Sequence, residues 1–459
     1  MIGSYSVFGA AALAVVASPL FALQAHAKAP EIPFESYVLD NGLNVILHHD
    51  PSVTTVHTEL WYKVGSKDEE PGKTGFAHLF EHIMFQGTKH VPEDAHFKYL
   101  QEAGASKVNG TTSFDRTNYY ETLPASRLEL ALWLESSRMG FLLQRASFRE
   151  TLDNQREVVK NERRQSVENQ PMGLVTQVQL ENLFPSNHPY HHEVIGSMAD
   201  LENASDADIK AFFNRYYAPN NAILVLAGNF DAAQAKALVE KYFGPIPAGP
   251  AIERRPIPAL GLKAARTIEM EAKVNLPSAF LTFASPAMYQ PGDAEMDVLA
   301  AVLSDGKTSR LYKRLVYDLK IAQQVKAQQM SLLNAGVFEV EVTALPGKSL
   351  ANVVAVVEEE IEKIMSEPIS SQELERVKNK IKTHFFTQLQ LLAGRASLLA
   401  QYKYFTGDAG FVAKDLARYE AVTAASVQSH ARNVLRKDRR LTITVTPNDQ
   451  APIMGRIKR

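Results

Sequence analysis

The segment His78-Leu79-Phe80-Glu81-His82 carries three side chains whose types and spacing could do chemistry together. On an α-helix, positions i, i+3 and i+4 lie on one face, so both imidazoles and the carboxylate of Glu81 would converge. Two imidazole nitrogens suit a catalytic zinc ion, and a neighbouring carboxylate suits a general base that activates water. The apolar neighbours indicate a buried helix rather than an exposed turn with scattered charges, and buried His and Glu need partners. The pentapeptide therefore predicts part of a zinc site.

A third zinc ligand has to come from elsewhere in the chain. Residues 154–164 are predicted to form a charged helix with Val158 on its buried side, and Glu162 lies one turn beyond Val158. Glu162 can therefore project from that side. Glu157 and Glu168 are rival carboxylates, and spacing alone does not choose among the three. Both rivals are also explained as side chains on a solvated helix face.

Composition excludes several other classes of protein. The chain has 459 residues, no cysteine, and 49 Lys+Arg against 51 Asp+Glu, which gives a formal net charge of -2. Without cysteine there is no disulfide, cysteine nucleophile or thiolate-bound metal, so a metal site must use His and carboxylates. The near-neutral charge argues against a polybasic nucleic-acid binder. The length exceeds what one hydrophobic core supports, so two or more domains are expected.

The first residues are typical of a secretory signal. Residues 8–23 are almost wholly apolar and run into Ala25-His26-Ala27, a small-x-small pattern of the kind that signal peptidase cleaves. No Lys or Arg precedes the apolar run, and an uncleaved membrane anchor is the alternative. We expect a signal peptide over residues 1–27 and, in a Gram-negative host, a soluble periplasmic protein with no membrane span in its mature form.

The remainder divides near its middle into two similar parts. Residues 245–262 are too rich in Pro and Gly for a helix or central strand, and they indicate a linker between domains at 28–244 and 263–459. A helix, a turn and a strand are predicted over 208–226, and the same succession recurs over 426–445. A duplicated domain explains the recurrence economically, although such units are common enough to recur by accident.

The site residues also resemble those of a known peptidase family. His78-x-x-Glu81-His82, followed by Arg156-Glu157-Val158-Val159-x-x-Glu162, is similar to the pitrilysin and mitochondrial processing peptidase family of inverted-motif (H-x-x-E-H) zinc metallopeptidases, in its short two-domain bacterial type. The similarity covers essentially the whole chain after the leader. It continues through residues 109–120, 134–139, 188–190 and 195–197.

Carried over residue by residue, the resemblance implies one zinc ion per chain. His78, His82 and Glu162 would be its ligands, and Glu81 would be the general base. The spacing from His82 to Glu162 is a few residues longer than in the family, which implies a small insertion. Gln155 stands where the family often carries a supporting Glu.

The resemblance implies an α+β fold of two tandem homologous domains, each an antiparallel sheet covered by helices. Two such pairs form a four-domain clamshell around a closed chamber, and one chain of this length supplies half of it. In the family an extended peptide adds to an edge strand beside the zinc, and Asn109 and Thr111 occupy the matching strand. Gly110 replaces the family's usual Ala, which should weaken the strand slightly. Asn109 before Gly110 is equally typical of a turn.

The second domain lacks the metal motif. Aligning Gly87 with Gly306 places Asp297, Ala300 and Ala301 opposite the three motif residues. In the family this domain normally contributes an Arg and a Tyr that hold the substrate backbone and the oxyanion. Val337-Phe338-Glu339 and Lys348-Ser349 stand at those positions here.

The missing Arg and Tyr imply a partner chain. A heterodimer with a homologous chain that supplies both residues is expected, with a homodimer as the alternative. A further alternative is that a residue of this chain folds back to do the work, and the candidates are Arg310, Tyr312, Arg314 and Tyr317.

The resulting expectation is a zinc-dependent endopeptidase that hydrolyses extended peptides or unfolded segments inside a closed chamber, with water activated by Glu81. A noncatalytic assembly or binding subunit of the same fold is the alternative, because this family also supplies such proteins. The intact pentapeptide favours the enzyme.

Overall fold

The structure, a computed structural model, describes residues 30–145, 148–258 and 260–458. The predicted signal peptide over residues 1–27 therefore lies outside the described residues. Glu31–Arg459 form one compact unit. Among the helices of the described residues, none combines the length and the apolar character that crossing a bilayer requires.

Two six-stranded sheets form the framework. The first contains β1 (Glu35–Val38), β2 (Asn44–His49), β3 (Thr55–Tyr62), β4 (Ser106–Thr112), β5 (Thr117–Pro124) and β6 (Ala222–Gly228). The second contains β7 (Arg266–Ala272), β8 (Ser278–Ser285), β9 (Ala322–Ser331), β10 (Gly336–Ala344), β11 (Leu441–Pro447) and β12 (Arg456–Ile457).

The two sheets repeat one topology. Their strand orders are β1-β2-β6-β3-β5-β4 and β12-β7-β11-β8-β10-β9. β7 to β11 thus occupy the places of β2 to β6, and only the outermost strands, β1 and β12, come from different points of the chain. This correspondence confirms the expectation of two similar sheet-plus-helix parts.

Each sheet is antiparallel, as expected, except at one pair of strands. β2 pairs with β6 in parallel, and β7 pairs with β11 in parallel. Parallel neighbours need a long crossover connection. In the first sheet, β3 to β5 and several helices lie between β2 and β6 along the chain. In the second sheet, β8 to β10 and several helices lie between β7 and β11. These elements supply the crossover connections.

Helices cover both sheets. The described residues form α1 (Phe76–Ile83), α2 (Ala95–Glu102), α3 (Leu128–Phe141), α4 (Phe148–Arg163), α5 (Val175–Leu183), α6 (Met198–Asn203), α7 (Asp206–Tyr216), α8 (Ala232–Phe243), α9 (Asp293–Ser304), α10 (Leu350–Ser366), α11 (Ser371–Gln390), α12 (Leu392–Thr406), α13 (Val412–Ala421) and α14 (Ala424–Val434). The predicted helix-turn-strand units correspond to α7 with β6 and to α14 with β11. The described residues of 245–262 contain no helix or strand, and the domain boundaries on either side of them stay a prediction.

Each sheet packs a helix from the other part of the chain. On one face of the first sheet, α1, α3, α7 and α8 form a core with side chains such as Leu60 and Leu224. On the opposite face, Leu399 and Tyr402 of α12 pack against Val225 of β6. In the same way, α5, which belongs to the first part of the chain, packs on the second sheet. This exchange of helices explains why the duplicated chain folds as one unit.

Candidate metal centre

The first turn of α1 is fixed by a buried carboxylate. Glu69 accepts hydrogen bonds from the backbone N–H groups of Gly75 (2.9 Å) and Ala77 (2.8 Å). Side-chain oxygens at a helix N-terminus satisfy N–H groups that would otherwise be unpaired. Gly75 has φ +90°, and a Cβ at this position would lie 2.7 Å from the carbonyl oxygen of Ile195. Glycine is therefore required at the entrance to the helix.

α1 carries its two imidazoles toward a carboxylate on α4. His78 Nε2 lies 3.6 Å from Glu162 Oε1, and His82 Nε2 lies 3.2 Å from Glu162 Oε2. One donor atom from each of the three residues lies within 4.8 Å of the other two. A tetrahedral zinc ion with bonds of about 2.0–2.2 Å separates its ligand atoms by roughly 3.3–3.6 Å. The spacing and the N,N,O donor set therefore fit zinc.

The pKa shifts of His78 and Glu162 also suit a metal. Burial lowers the pKa of His78 to about 4, and the nearby His82 acts in the same direction, against an opposing effect of Glu162. The hydrogen bond from His82 lowers the pKa of Glu162. Neutral imidazoles and an ionised carboxylate are the forms that coordinate metal ions.

Glu81 lies on the same helix but has a different partner. The hydroxyl of Thr112, the last residue of β4, donates to Glu81 Oε2 at 2.7 Å. Burial raises the pKa of Glu81, and the hydrogen bond from Thr112 acts in the opposite direction. A carboxylate with a raised pKa is suited to proton transfer near neutral pH.

The rival carboxylates do not join the cluster. Glu157 contacts Lys160 at 3.0 Å, and its side chain is 59% exposed. Glu168 belongs to the π-helical turn Arg164–Glu168 and lies 3.9 Å from Arg163. Neither side chain belongs to the one metal-competent group found among the described residues. Of the three candidate carboxylates, Glu162 is the one that faces the imidazoles.

Asn109 and Thr111 both lie on β4, which is an edge strand of the first sheet. Asn109 pairs with Tyr120 and Thr111 with Asn118, so Asn109 lies in a strand rather than a turn. Side chains alternate along a strand. Because Thr112 faces Glu81, the side chain of Thr111 points to the other face of the sheet, where its hydroxyl donates to Asn118 Oδ1 at 2.5 Å.

Gly110 brings the edge strand close to α1. A Cβ at this position would lie 3.0 Å from Glu81 Cγ and 3.1 Å from Phe85 Cε2. These distances are tighter than ordinary van der Waals contacts, so a larger residue would require its neighbours to move. Gly110 therefore allows β4 to approach Glu81 closely.

Sequence reasoning missed two residues that hold β4. Thr112 is one, and Arg116 is the other. The Arg116 guanidinium donates to the carbonyl of Thr111 at 2.9 Å and to Asn118 Oδ1 at 2.7 Å, and it lies 5.1 Å from the centroid of the Trp61 ring. Both residues fall within the segment that carries the family resemblance, but spacing alone does not indicate their contacts.

In the second part of the chain, the residues opposite the motif have other contacts. Asp297 on α9 accepts a hydrogen bond from the hydroxyl of Tyr419 at 2.7 Å. Phe338 is fully buried in the core of the second sheet. Arg310 forms a two-pronged ion pair with Glu373, with contacts of 2.6 and 2.9 Å.

Comparison with known proteins identifies the family of this chain. The model of the insulinase family (peptidase family M16) matches residues 44–196, and that of the peptidase M16 inactive domain matches residues 203–381. Zinc protease PqqE of Helicobacter pylori is 30% identical over 82% of this chain and 85% of its own length. The chain belongs to peptidase family M16. This confirms the peptidase family that the sequence motifs resemble.

Solved structures show the same M16 fold. A protease from Helicobacter pylori matches with a TM-score of 0.84 and 27% identity, covering 91% of this M16 chain and 100% of its own. The first half of the periplasmic protease PqqL from Escherichia coli matches with a TM-score of 0.74 and 21% identity, covering 91% and 92%. This M16 chain covers only 48% of the longer PqqL chain. It therefore corresponds in fold to half of that protein.

The contact between Thr112 and Glu81 leads to a first prediction. Thr112→Val keeps the shape of the side chain but removes the hydrogen bond that orients Glu81. We expect kcat for peptide hydrolysis to fall by about tenfold, the loss typical of one hydrogen bond to a charged group, with zinc content unchanged. The neighbouring Thr111→Val should leave kcat nearly unchanged, because the Thr111 side chain faces away from Glu81 and bonds Asn118 instead. Equal effects of the two substitutions on kcat would contradict this assignment.

Proposed function

We propose that this M16 chain is a zinc-dependent endopeptidase that hydrolyses extended peptides or unfolded segments. The observation that carries the proposal is the convergence of His78, His82 and Glu162, with Glu81 on the same helix oriented by Thr112. The zinc protease names of its relatives support the same chemistry.

The proposed roles follow from the chemistry of the side chains. His78, His82 and Glu162 would hold one zinc ion, which when bound supplies a Lewis acid for the scissile carbonyl and acidifies a water. Thr112 binds Glu81 Oε2, while Oε1 has no hydrogen-bond partner among the described residues. Glu81 Oε1 can therefore accept a proton from the attacking water and pass it to the leaving amine.

The edge strand supports an extended substrate. Among the described residues, β4 has a strand neighbour on one side only, so the backbone groups on its other side can pair with an added strand. The close approach at Gly110 places this strand next to Glu81. Asn109 and Thr111 would contribute through the backbone of β4, with Arg116 holding that backbone in position.

We further propose that the active assembly contains two chains. The fold corresponds to half of a longer periplasmic relative. In addition, the buried side chain of Phe338 cannot donate a hydrogen bond to an oxyanion. Arg310 is already paired with Glu373, and Arg314 is paired with Glu359 and Glu360. A heterodimer with a homologous chain that carries the missing Arg and Tyr would complete the site, with a homodimer as the alternative.

The partner leads to a second prediction, which also tests the proposed function. The chain purified alone should contain zinc but hydrolyse an unfolded peptide roughly 10² to 10³ times more slowly than a co-expressed pair, because an oxyanion donor is missing. Activity of the pair should fall on dilution, as expected of a site shared between subunits. A chain that binds no zinc under any condition would instead favour a noncatalytic subunit. Full activity of the single chain, unchanged on dilution, would exclude the need for a partner.

Export from the cytoplasm is the proposed localisation. The leader pattern over residues 1–27 supports it, as does the periplasmic location stated for PqqL. The mass of the intact mature protein, recovered from a periplasmic extract, would show whether cleavage follows Ala27.

A further inference from the structure

A cavity of about 730 Å³ lies where the two parts of the chain and the linker meet. The first part contributes Lys63, Asp68 and Arg215, the linker contributes Arg254, and the second part contributes Tyr404. The volume falls within the range of small-molecule sites, which is roughly 300–1,000 Å³. None of the proposed zinc ligands lines it.

The lining carries more positive than negative charge. Five cationic side chains (Lys63, Lys67, Arg215, Arg254 and Arg255) face three acidic ones (Asp68, Glu70 and Glu253), which leaves an excess of two positive charges. Asp68 is shared between two of the cations, since Lys67 Nζ contacts its Oδ2 at 2.5 Å and Arg254 contacts its Oδ1. Glu70 lies 3.4 Å from Lys73, which is outside the cavity lining. The acidic groups therefore do not neutralise the cationic ones.

Lys63, Arg215 and Arg255 form no ion pair among the described residues, but Arg255 donates a hydrogen bond to the backbone carbonyl of Glu69. Lys63 and Arg215 are the cations left over, because their side chains form neither an ion pair nor a hydrogen bond among the described residues; Arg215 lies over the ring of Tyr216, 5.4 Å from its centroid. Burial lowers the pKa of Lys63, and Lys403 and Arg254 act in the same direction. An ammonium group removed from water without a counter-charge costs free energy, which a bound anion would offset.

We propose that this cavity binds an oxyanion that carries at least two negative charges. Lys63 and Arg215 would donate charge-assisted hydrogen bonds to its oxygens, and the net charge of the lining would be neutralised. Two sources share this chemistry, namely a phosphoryl group and a pair of carboxylates. None of the residues assigned to the peptidase chemistry lines this cavity.

Titration calorimetry on the zinc-loaded chain tests this proposal. Inorganic phosphate and succinate serve as probes for the two sources, and chloride at matched ionic strength controls for screening. We expect saturable binding of at least one probe, with the stronger one identifying the source. Lys63→Met and Arg215→Met should each raise its dissociation constant by about tenfold or more, the equivalent of one charge-assisted hydrogen bond.

Lys414→Met is the matched control, because Lys414 is exposed and pairs with Asp408 at 2.7 Å. It should bind the probe like the unmodified chain. Lys63→Met should also melt at the same or a higher temperature without ligand, because it removes an unpaired, half-buried charge, and the probe should no longer raise that temperature. Binding of neither probe, or equal binding by the unmodified chain and both cavity variants, would overturn the proposal. Arg215 is exposed, so its variant keeps the test decisive if Lys63→Met fails to fold.

Discussion

Glu81→Gln should lower the turnover of peptide hydrolysis by roughly 10² to 10⁴-fold, the contribution typical of a general base. An amide cannot accept the proton of the attacking water, whereas its oxygen can still accept the hydrogen bond that Thr112 now donates to Oε2. The zinc ligands are untouched, so metal analysis should show the same zinc content as in the unmodified protein. The measurement is kcat at saturating peptide on the complete assembly.

Glu157→Gln provides the control for this substitution. It makes the same chemical change on an exposed side chain that pairs with Lys160, and its turnover should remain within about twofold of normal, as expected of surface substitutions. Unchanged turnover in Glu81→Gln would show that another group moves the proton. Loss of zinc from that variant would place Glu81 among the ligands instead.

Local sequence information was sufficient for much of the candidate site. Helical periodicity alone places His78, Glu81 and His82 on one face, and the structure does bring the two imidazoles together. The same reasoning left three carboxylates open for the third position. The choice depends on how α4 packs against α1, which is a contact between distant parts of the chain and is not encoded in the spacing within either helix.

Long-range contacts also account for what the sequence did not predict in the fold. Apolar alternation indicates a strand but not the direction of its neighbour, so the parallel pairing of β2 with β6 was missed. The continuous apolar run of β6 requires cover on both faces. Its second cover is α12, which lies far along the chain. Glu69, which fixes the start of α1, was likewise missed because its role depends on backbone N–H groups that any residues could supply.

The ligand assignment gives the last prediction. His78→Ala, His82→Ala and Glu162→Gln should each lose zinc on purification. Each removes one of three donors whose atoms lie within 4.8 Å of one another, and two remaining ligands do not complete a zinc site. The loss of zinc affinity should exceed the roughly 10- to 100-fold that follows removal of an outer-shell partner. Peptide hydrolysis should fall with zinc content, since both the Lewis acid and the acidified water are lost together.

Two substitutions on the same stretch of chain separate a ligand from a nearby charge. Glu157→Gln and Glu168→Gln remove the same charge as Glu162→Gln, but their carboxylates contact Lys160 and Arg163 instead of the imidazoles. Both should retain zinc and activity. Metal analysis after dialysis against a chelator, with melting temperature as the check on folding, distinguishes the three variants. If Glu157→Gln were the variant that loses zinc while Glu162→Gln retains it, Glu157 would be the third ligand. The contacts of Glu162 with His78 and His82 would then be simple ion pairs.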